Sequence, residues 1–394
     1  MYPNLRYAIY DKIGLDLPVL ALAQTYGLFL ALAFLLAGWL LYIELKRRED
    51  VGLLKGVELT TRVGGPLDPL ELLLHPILGA AIGYKLVDAL LHPALYTGPA
   101  ASKIIFSLTH GSWWGGLLVG FAFLGWKFWE KHRELEKYPS PEEITHYVMP
   151  HDRVGDIVII TAISGVLGAK LFHVLKAASW ATLSDELFST ATTVYGGLII
   201  ATVVLLIWAH RKEIPALQLV DSAAPILLLS YGIGCLGAHF SGDGDWGVPN
   251  PQPYSRWLPE WLWAYDYPNN SINAGIPMEN CGYPVAFGDY CYQLPEAVYP
   301  TAVWASLMAF AGFSLLWYLR KRINIEGLLF AIYLLFNGLL LFLIETMRTN
   351  VDDMVLGINM TELQVFAILQ FLSGMLCTFI CYKKHRSKST IAPS

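Results

Sequence analysis

The chain has 394 residues, of which 55% are hydrophobic and only 15% charged, with a net charge of −5 and a mean hydropathy of +0.46. Soluble domains carry about 25% charged residues, so this composition excludes a water-soluble globular protein; the net charge says little, because the position of charges matters more than their sum, and no nucleic-acid partner is expected. The apolar runs are long and unbroken, as from Leu28 to Leu36. That excludes the alternating segments of an outer-membrane barrel and leaves helices, which satisfy their own backbone within one run.

Met1 to Arg6 lacks a compact basic region joined to a short apolar core, so no cleavable signal peptide is expected. Candidate spans follow at about 17–45, 70–93, 104–128, 155–176, 192–210, 216–239, 299–319, 326–347 and 359–382. Basic clusters close every second apolar stretch: Lys46-Arg47-Arg48, Lys127 to Arg133, His210-Arg211-Lys212, Arg320-Lys321-Arg322 and Lys383 to Arg386. By the positive-inside rule these are cytoplasmic, which predicts an outside N-terminus, an inside C-terminus and an odd number of spans. The fold class expected is an all-α integral membrane protein of about nine transmembrane helices.

An internal repeat lies in the first half. Gly83 to Asp88 is similar to Gly168 to His173, and Trp114-Gly115-Gly116-Leu117 is similar to Tyr195-Gly196-Gly197-Leu198. Two matched motifs in one order predict a duplicated helical hairpin. Residues 134–154 read as a solvated cytoplasmic linker, Pro139 and Pro141 included. Residues 241–298 are rich in Gly, Pro, Asn, Trp and Tyr and read as an external cap at the membrane surface. Cys281 and Cys291 fall in it, open either to a disulfide in an oxidising compartment or to two free thiols. The chain thus divides into a first span (1–46), an inserted hairpin and linker (47–154), Gly-rich spans (155–240), the cap (241–298) and three last spans with a basic tail (299–394).

Polar residues at membrane depth are the candidates for function. The run from Tyr231 to Gly247 begins as a helix and ends as a Gly-Asp-Gly-Asp turn, bringing His239, Asp243 and Asp245 to the outer interface. These serve either as a general base beside a head-group cleft or as an Asx-rich turn. Asn337-Gly338 precedes Glu345 and Arg348, three apart on one predicted helix face, which suits a cation for a phosphate held by its acid. Lys85 and Lys170 lie in apolar helices, where they either snorkel or meet a phosphate. Cys235 reads as a small packing residue. No paired CxxC or HxxxH unit points to a metal.

These pieces resemble the bacterial prolipoprotein diacylglyceryl transferase family. The resemblance rests on Tyr26-Gly27, Tyr195-Gly196-Gly197-Leu198, Gly234 to Gly247, Tyr299-Pro300-Thr301, and Asn337-Gly338 through Glu345-Thr346-Met347-Arg348. It covers the first span and about 155–382, implying a seven-helix body around which the hairpin is inserted. It implies transfer of a diacylglyceryl group from phosphatidylglycerol to the Cys thiol of a lipoprotein precursor, whose signal peptide is the partner. The setting is the bacterial cytoplasmic (inner) membrane and its lipids, with no cofactor. Carried over, Asp243 or Asp245 stands where the family has a Glu, and with Glu345, Tyr195 and the His239 read above they are the candidate catalytic residues. Arg348, Lys170, Tyr26, Gly196, Gly197, Gly247 and Asn337 are the candidate head-group contacts. The departures are Tyr195 for the family's His, Cys235 and Leu341 for two of its arginines, Ala305 for a Glu, and Lys170 for an Arg. Losing arginines removes forked phosphate donors, so the alternative is a non-catalytic paralogue that binds lipid or lipoprotein.

Overall fold

The computed structural model describes residues 1–67, 69–97, 104, 109–176, 193–252, 257–279, 290–348, 354–355 and 358–391. A short helix α1 (Leu5–Ile13) precedes α2 (Thr25–Asp50), strand β1 (Val57–Val63), α3 (Pro69–Leu91), α4 (Trp113–Lys137) and strand β2 (Glu142–Val148). Then come α5 (Val154–Lys176), α6 (Val194–Arg211), α7 (Ala216–Ser241), strands β3 (Ile276–Pro277) and β4 (Tyr292–Gln293), α8 (Thr301–Leu319), α9 (Leu328–Glu345) and α10 (Glu362–Ile391).

Among the described residues seven helices, α2, α3, α5, α7, α8, α9 and α10, are long and apolar enough to cross a membrane. The chain is therefore an all-α, multi-pass membrane protein. The other two expected spans are also helices, but differ from expectation. Charges from Lys127 to Lys137 fill the second half of α4, and the apolar part of α6 is short, Tyr195–Arg211. The first span starts at Thr25 rather than near residue 17, because Pro18–Leu22 forms a separate 3₁₀ turn.

α7 and α9 form the centre of the body, with 56% of each spanning window buried against 17% for α5 and α10. Around them pack α2 and α8 on α7, and α10 on α9. One end of this body is tied by charge. Glu44 is fully buried and takes Arg47 at 2.5 Å, Arg48 at 3.0 Å and Arg320 at 2.8 Å. Arg48 also donates to Gln218, whose amide reaches Glu326 at 3.2 Å. Buried Asp221 accepts Gly327 N at 2.7 Å and Phe330 N at 2.9 Å, satisfying the first amides of α9. Two of the clusters read above as markers of sidedness thus supply structural arginines that join α2, α7 and α8.

The repeat is present contact by contact. A Cβ on Gly83 would clash with Gly115 O and Val119, and one on Gly168 with Gly196 O and Ile200. Gly116 faces Ala80 as Gly197 faces Gly165. Even the entry turns match: Ser112 N donates to Tyr84 O at 2.8 Å, and Thr193 N to Ala169 O at 3.0 Å. Both hairpins are closed by the same small-residue seam.

The expected linker is folded in part. Glu142–Val148 pairs antiparallel with Val57–Val63, Val57 opposite Val148 and Val63 opposite Glu142, so the hairpin α3–α4 stands on a two-stranded stalk. At the other end of the chain's spans the cap has its own small core of Tyr267, Leu294 and Val298 with Trp246 and Tyr265. Cys291 is disulfide-bonded, whereas Cys281 lies outside the described residues.

Breaking a buried ion pair from one side leaves the other charges uncompensated, at about 3–5 kcal/mol. Glu44→Ala is therefore expected to lower the thermal midpoint of the purified protein sharply, whereas Lys46→Ala, outside the cluster, leaves it unchanged. A differential scan of the two variants in one detergent checks this.

Candidate functional site

The site is assembled at the end of the body where α7 and α9 finish and α8 and α10 begin. α7 ends because Gly242 adopts a left-handed backbone (φ 69°) and Asp243 N returns to Ala238 O at 3.0 Å, a glycine-terminated cap. The chain then runs through Asp243, Gly244 and Asp245 to Gly247, which is clamped on both sides. Gly247 N donates to Tyr299 O at 2.8 Å, and Val248 N to Met347 O at 2.9 Å. Thr301 Oγ1 donates to Asp245 O at 2.8 Å. A Cβ on Gly247 would fall 2.6 Å from Met347 O, so only glycine permits this approach. Three segments far apart in sequence are thus stitched by their backbones.

Arg348 projects between the acids. Its Nη2 lies 3.3 Å from Asp245 Oδ1 and its Nη1 3.7 Å from Glu345 Oε2. The side chains of Arg348 and Glu345 are 16% and 5% exposed, that of Asp245 44%. Glu345 Oε1 accepts Thr361 Oγ1 at 2.9 Å. Among the described residues, Arg348 Nε and Glu345 Oε2 are buried without a hydrogen-bond partner, a costly condition unless a ligand relieves it. Burial works against the Arg348 charge, but Asp245 and Tyr231 offset it and hold the guanidinium pKa above its ordinary value. The surrounding protein and then Asp245 push the Asp243 carboxyl up, although water reaches it.

The expected geometry changes in one respect. α9 stops at Glu345, and a tight turn follows, with Met347 N on Ile344 O at 3.0 Å and Arg348 N on Glu345 O at 3.1 Å. The pair survives because this turn keeps Arg348 close to Glu345 while bridging it to Gly247.

The other candidates are placed as follows. Tyr26, at the start of α2, lies within electrostatic reach of Asp245, Asp243 and Cys235. His239 is buried beneath the cap, its Nδ1 3.1 Å from Tyr267 Oη. Gly196 and Gly197 serve the α5–α6 seam. Asn337 bonds Gln370 Oε1 at 3.2 Å in the α9–α10 seam, about 12 Å below Glu345 along the helix. Lys170 follows Ala169 on α5, where the hairpin closes. Lys85 is engaged by the carbonyls of Ile104 and His110 at 2.7 and 2.6 Å. Tyr195 Oη donates to Glu362. Cys235 and Leu341, at two family arginine positions, are buried in an apolar cluster with Ala305, against which Tyr231 packs. Sequence reading missed Thr361, Lys176 and Glu362. No motif marks them, and their partners lie on other helices.

Fold and site together define a polytopic membrane protein with a half-buried arginine, flanked by carboxylates and a tyrosine, at one membrane end. A family model described as prolipoprotein diacylglyceryl transferase matches residues 116–380, and the chain belongs to that family. The match begins inside α4. The chain is 27% identical over 250 residues, 61% of its length and 84% of the relative's, to a protein of Streptococcus uberis. It is 28% identical over 265 residues, 64% and 84%, to one of Streptococcus suis. With a protein of Bifidobacterium longum subsp. infantis it shares 25% over 242 residues, 59% and 71%. All three relatives are named phosphatidylglycerol–prolipoprotein diacylglyceryl transferase.

Gly247→Ala is expected to force the clamp open and to cost about 1–3 kcal/mol. Gly244→Ala meets only Ile272 and is expected to cost about 1 kcal/mol, for its left-handed backbone alone. Denaturation midpoints of the two variants measure the difference.

Proposed function

We propose that this chain transfers a diacylglyceryl group from phosphatidylglycerol to the lipobox Cys thiol of lipoprotein precursors, on the outer face of the bacterial cytoplasmic membrane. The observation that carries this reading is the half-buried Arg348, whose Nε has no hydrogen-bond partner among the described residues, placed beside Asp245 and Glu345.

The chemistry is a displacement at a glyceryl carbon, in which the thiol sulfur bonds to carbon and the glycerol phosphate leaves. Arg348 is the donor for the phosphate oxygens, because a guanidinium presents several N–H groups in one plane. Asp245 and Glu345 hold that plane in place. In-line alignment of sulfur, carbon and leaving oxygen does most of the remaining work. Charge grows on the leaving phosphate, so a fixed cation there lowers the barrier more than it tightens ground-state binding. The basic clusters support this sidedness: they close helices at the end opposite Arg348, as expected for a site outside with the C-terminus and the Glu44 cluster inside. The cap, with Trp257 almost fully exposed and Trp261 half exposed, rests at the lipid interface.

A second reading, a helper that binds lipid or lipoprotein without transfer, is favoured by one observation. Cys235 and Leu341 sit as neutral side chains in an apolar cluster, and Arg348 already faces two acids.

The purified protein in phosphatidylglycerol vesicles is expected to lipidate a lipobox peptide. Arg348→Ala is expected to lower turnover roughly 100-fold, and Arg348→Lys by less. No lipidation by wild type overturns the reading. Transfer that appears only in the Cys235→Arg, Leu341→Arg double variant supports the helper instead.

A further inference from the structure

A cavity of about 220 Å³ lies at the end of the body opposite Arg348. One wall is the loop between α8 and α9, with Asn324, Ile325 and Glu326. The other is the last part of α10, with Cys381, Lys384 and His385. The space is many times what one water needs.

The two walls are fixed against each other. Gly327 adopts a left-handed backbone (φ 82°), and its N donates to Asp221 Oδ2 at 2.7 Å. A Cβ on Gly327 would fall 3.2 Å from Cys381 Sγ, so the loop lies tight on α10. Lys384 and His385 follow Cys381 by three and four residues, which puts all three on one helix face. Lys383, on another face, is not a lining residue.

The polar groups are set out for a ligand with an acceptor and a donor. Lys384, His385 and Asn324 carry N–H groups, and among the described residues none of the three makes a hydrogen bond or ion pair. Glu326 lines the same cavity, but its Oε1 accepts Gln218 Nε2 at 3.2 Å, and it does not pair with Lys384. The sidedness of charge accounts for Lys383 and Arg386, and snorkelling accounts for a lone Lys at a helix end. Neither accounts for an ammonium, an imidazole and an amide facing a carboxylate across one cavity. Phosphate oxygens take such N–H groups, and the second carboxylate oxygen takes a hydroxyl. In the turns before Lys384, α10 exposes Leu376 and Ile380, so the cavity adjoins a lipid-facing flank.

We propose that this cavity binds the head group of a hydroxyl-bearing anionic phospholipid of the cytoplasmic leaflet, with its phosphate on Lys384, His385 and Asn324 and its hydroxyl on Glu326. Basic pockets between helices on the cytoplasmic side are known seats of anionic head groups. The leaflet rests on the sidedness proposed above; the cavity and its ligand do not depend on the transfer reaction. The bound lipid ties α10 to the loop that opens α9. Gln218 links Glu326 to Arg48, so the head group sits on the polar chain that ends at Glu44.

The test uses the full chain in vesicles of phosphatidylcholine, alone or mixed with phosphatidylglycerol. Alkylation of Cys381 by a small membrane-permeant maleimide is followed by peptide mass spectrometry, with Cys377 read in the same digest and the thermal midpoint read in parallel. Phosphatidylglycerol is expected to slow alkylation of Cys381 roughly fivefold, to leave Cys377 unchanged, and to raise the midpoint. Lys384→Gln is expected to abolish the protection and to shrink the midpoint shift, whereas Lys383→Gln, which removes the same charge from outside the cavity, keeps both. Glu326→Ala is expected to weaken the protection, because the hydroxyl loses its acceptor. Equal responses of Lys384→Gln and Lys383→Gln mark a general attraction to a basic surface and overturn the proposal, as does a wild type that phosphatidylglycerol neither protects nor stabilises. Stronger protection in Glu326→Ala shows a carboxylate that only repels, and also overturns it. Free glycerol phosphate that protects Cys381 in phosphatidylcholine vesicles as well as phosphatidylglycerol does makes the ligand a soluble anion and overturns the lipid assignment.

Discussion

The body of this protein depends on one buried carboxylate. Glu44 has no contact with water and is surrounded by Arg47, Arg48 and Arg320. A bare acid at that depth is costly, so the surrounding arginines are obligatory. They come from two helices, and Arg48 reaches a third through Gln218. With Asp221 anchoring the first turn of α9, four helices share one origin. Their lengths and the central position of α7 then determine where their far ends meet.

What meets there is a set of backbones before it is a set of side chains. Gly247 lies between Tyr299 and Met347, and this strand-like clamp carries Arg348 out of α9 to face Asp245. Tight backbone registration is the physical reason a half-buried guanidinium keeps a defined aim with two acids, Asp245 and Glu345, facing it among the described residues. It also explains why the arginine positions lost at 235 and 341 leave the architecture whole. Cys235 and Leu341 pack as apolar residues between α7, α8 and α9, and the clamp does not pass through them.

Much of this was legible in the amino-acid order. The apolar runs marked the helices, because a bilayer allows few other structures. The repeat was visible because its seam needs glycine at fixed places, and Gly83, Gly115, Gly168 and Gly196 all recur. The Gly-Asp-Gly-Asp turn declared the end of α7. Other features were hidden for identifiable reasons. Arg48 and Arg320 look like ordinary basic caps, and only packing shows that they face inward. Glu362 meets Lys176 across 186 positions and Tyr195 across 167, separations that no local pattern encodes. The residues around Glu142 to Val148 carry prolines upstream and mixed polarity, so pairing with Val57–Val63 depends on the hairpin that brings them together.

That pairing has a consequence for how the chain came to be arranged. Val57 and Val148 are cross-strand partners, so their Cα atoms are about 5 Å apart. The ninety residues between them therefore leave and rejoin the body through a doorway one peptide wide. A change in the length of that segment need not move the helices before or after the doorway, because both ends stay pinned by one ladder of backbone hydrogen bonds.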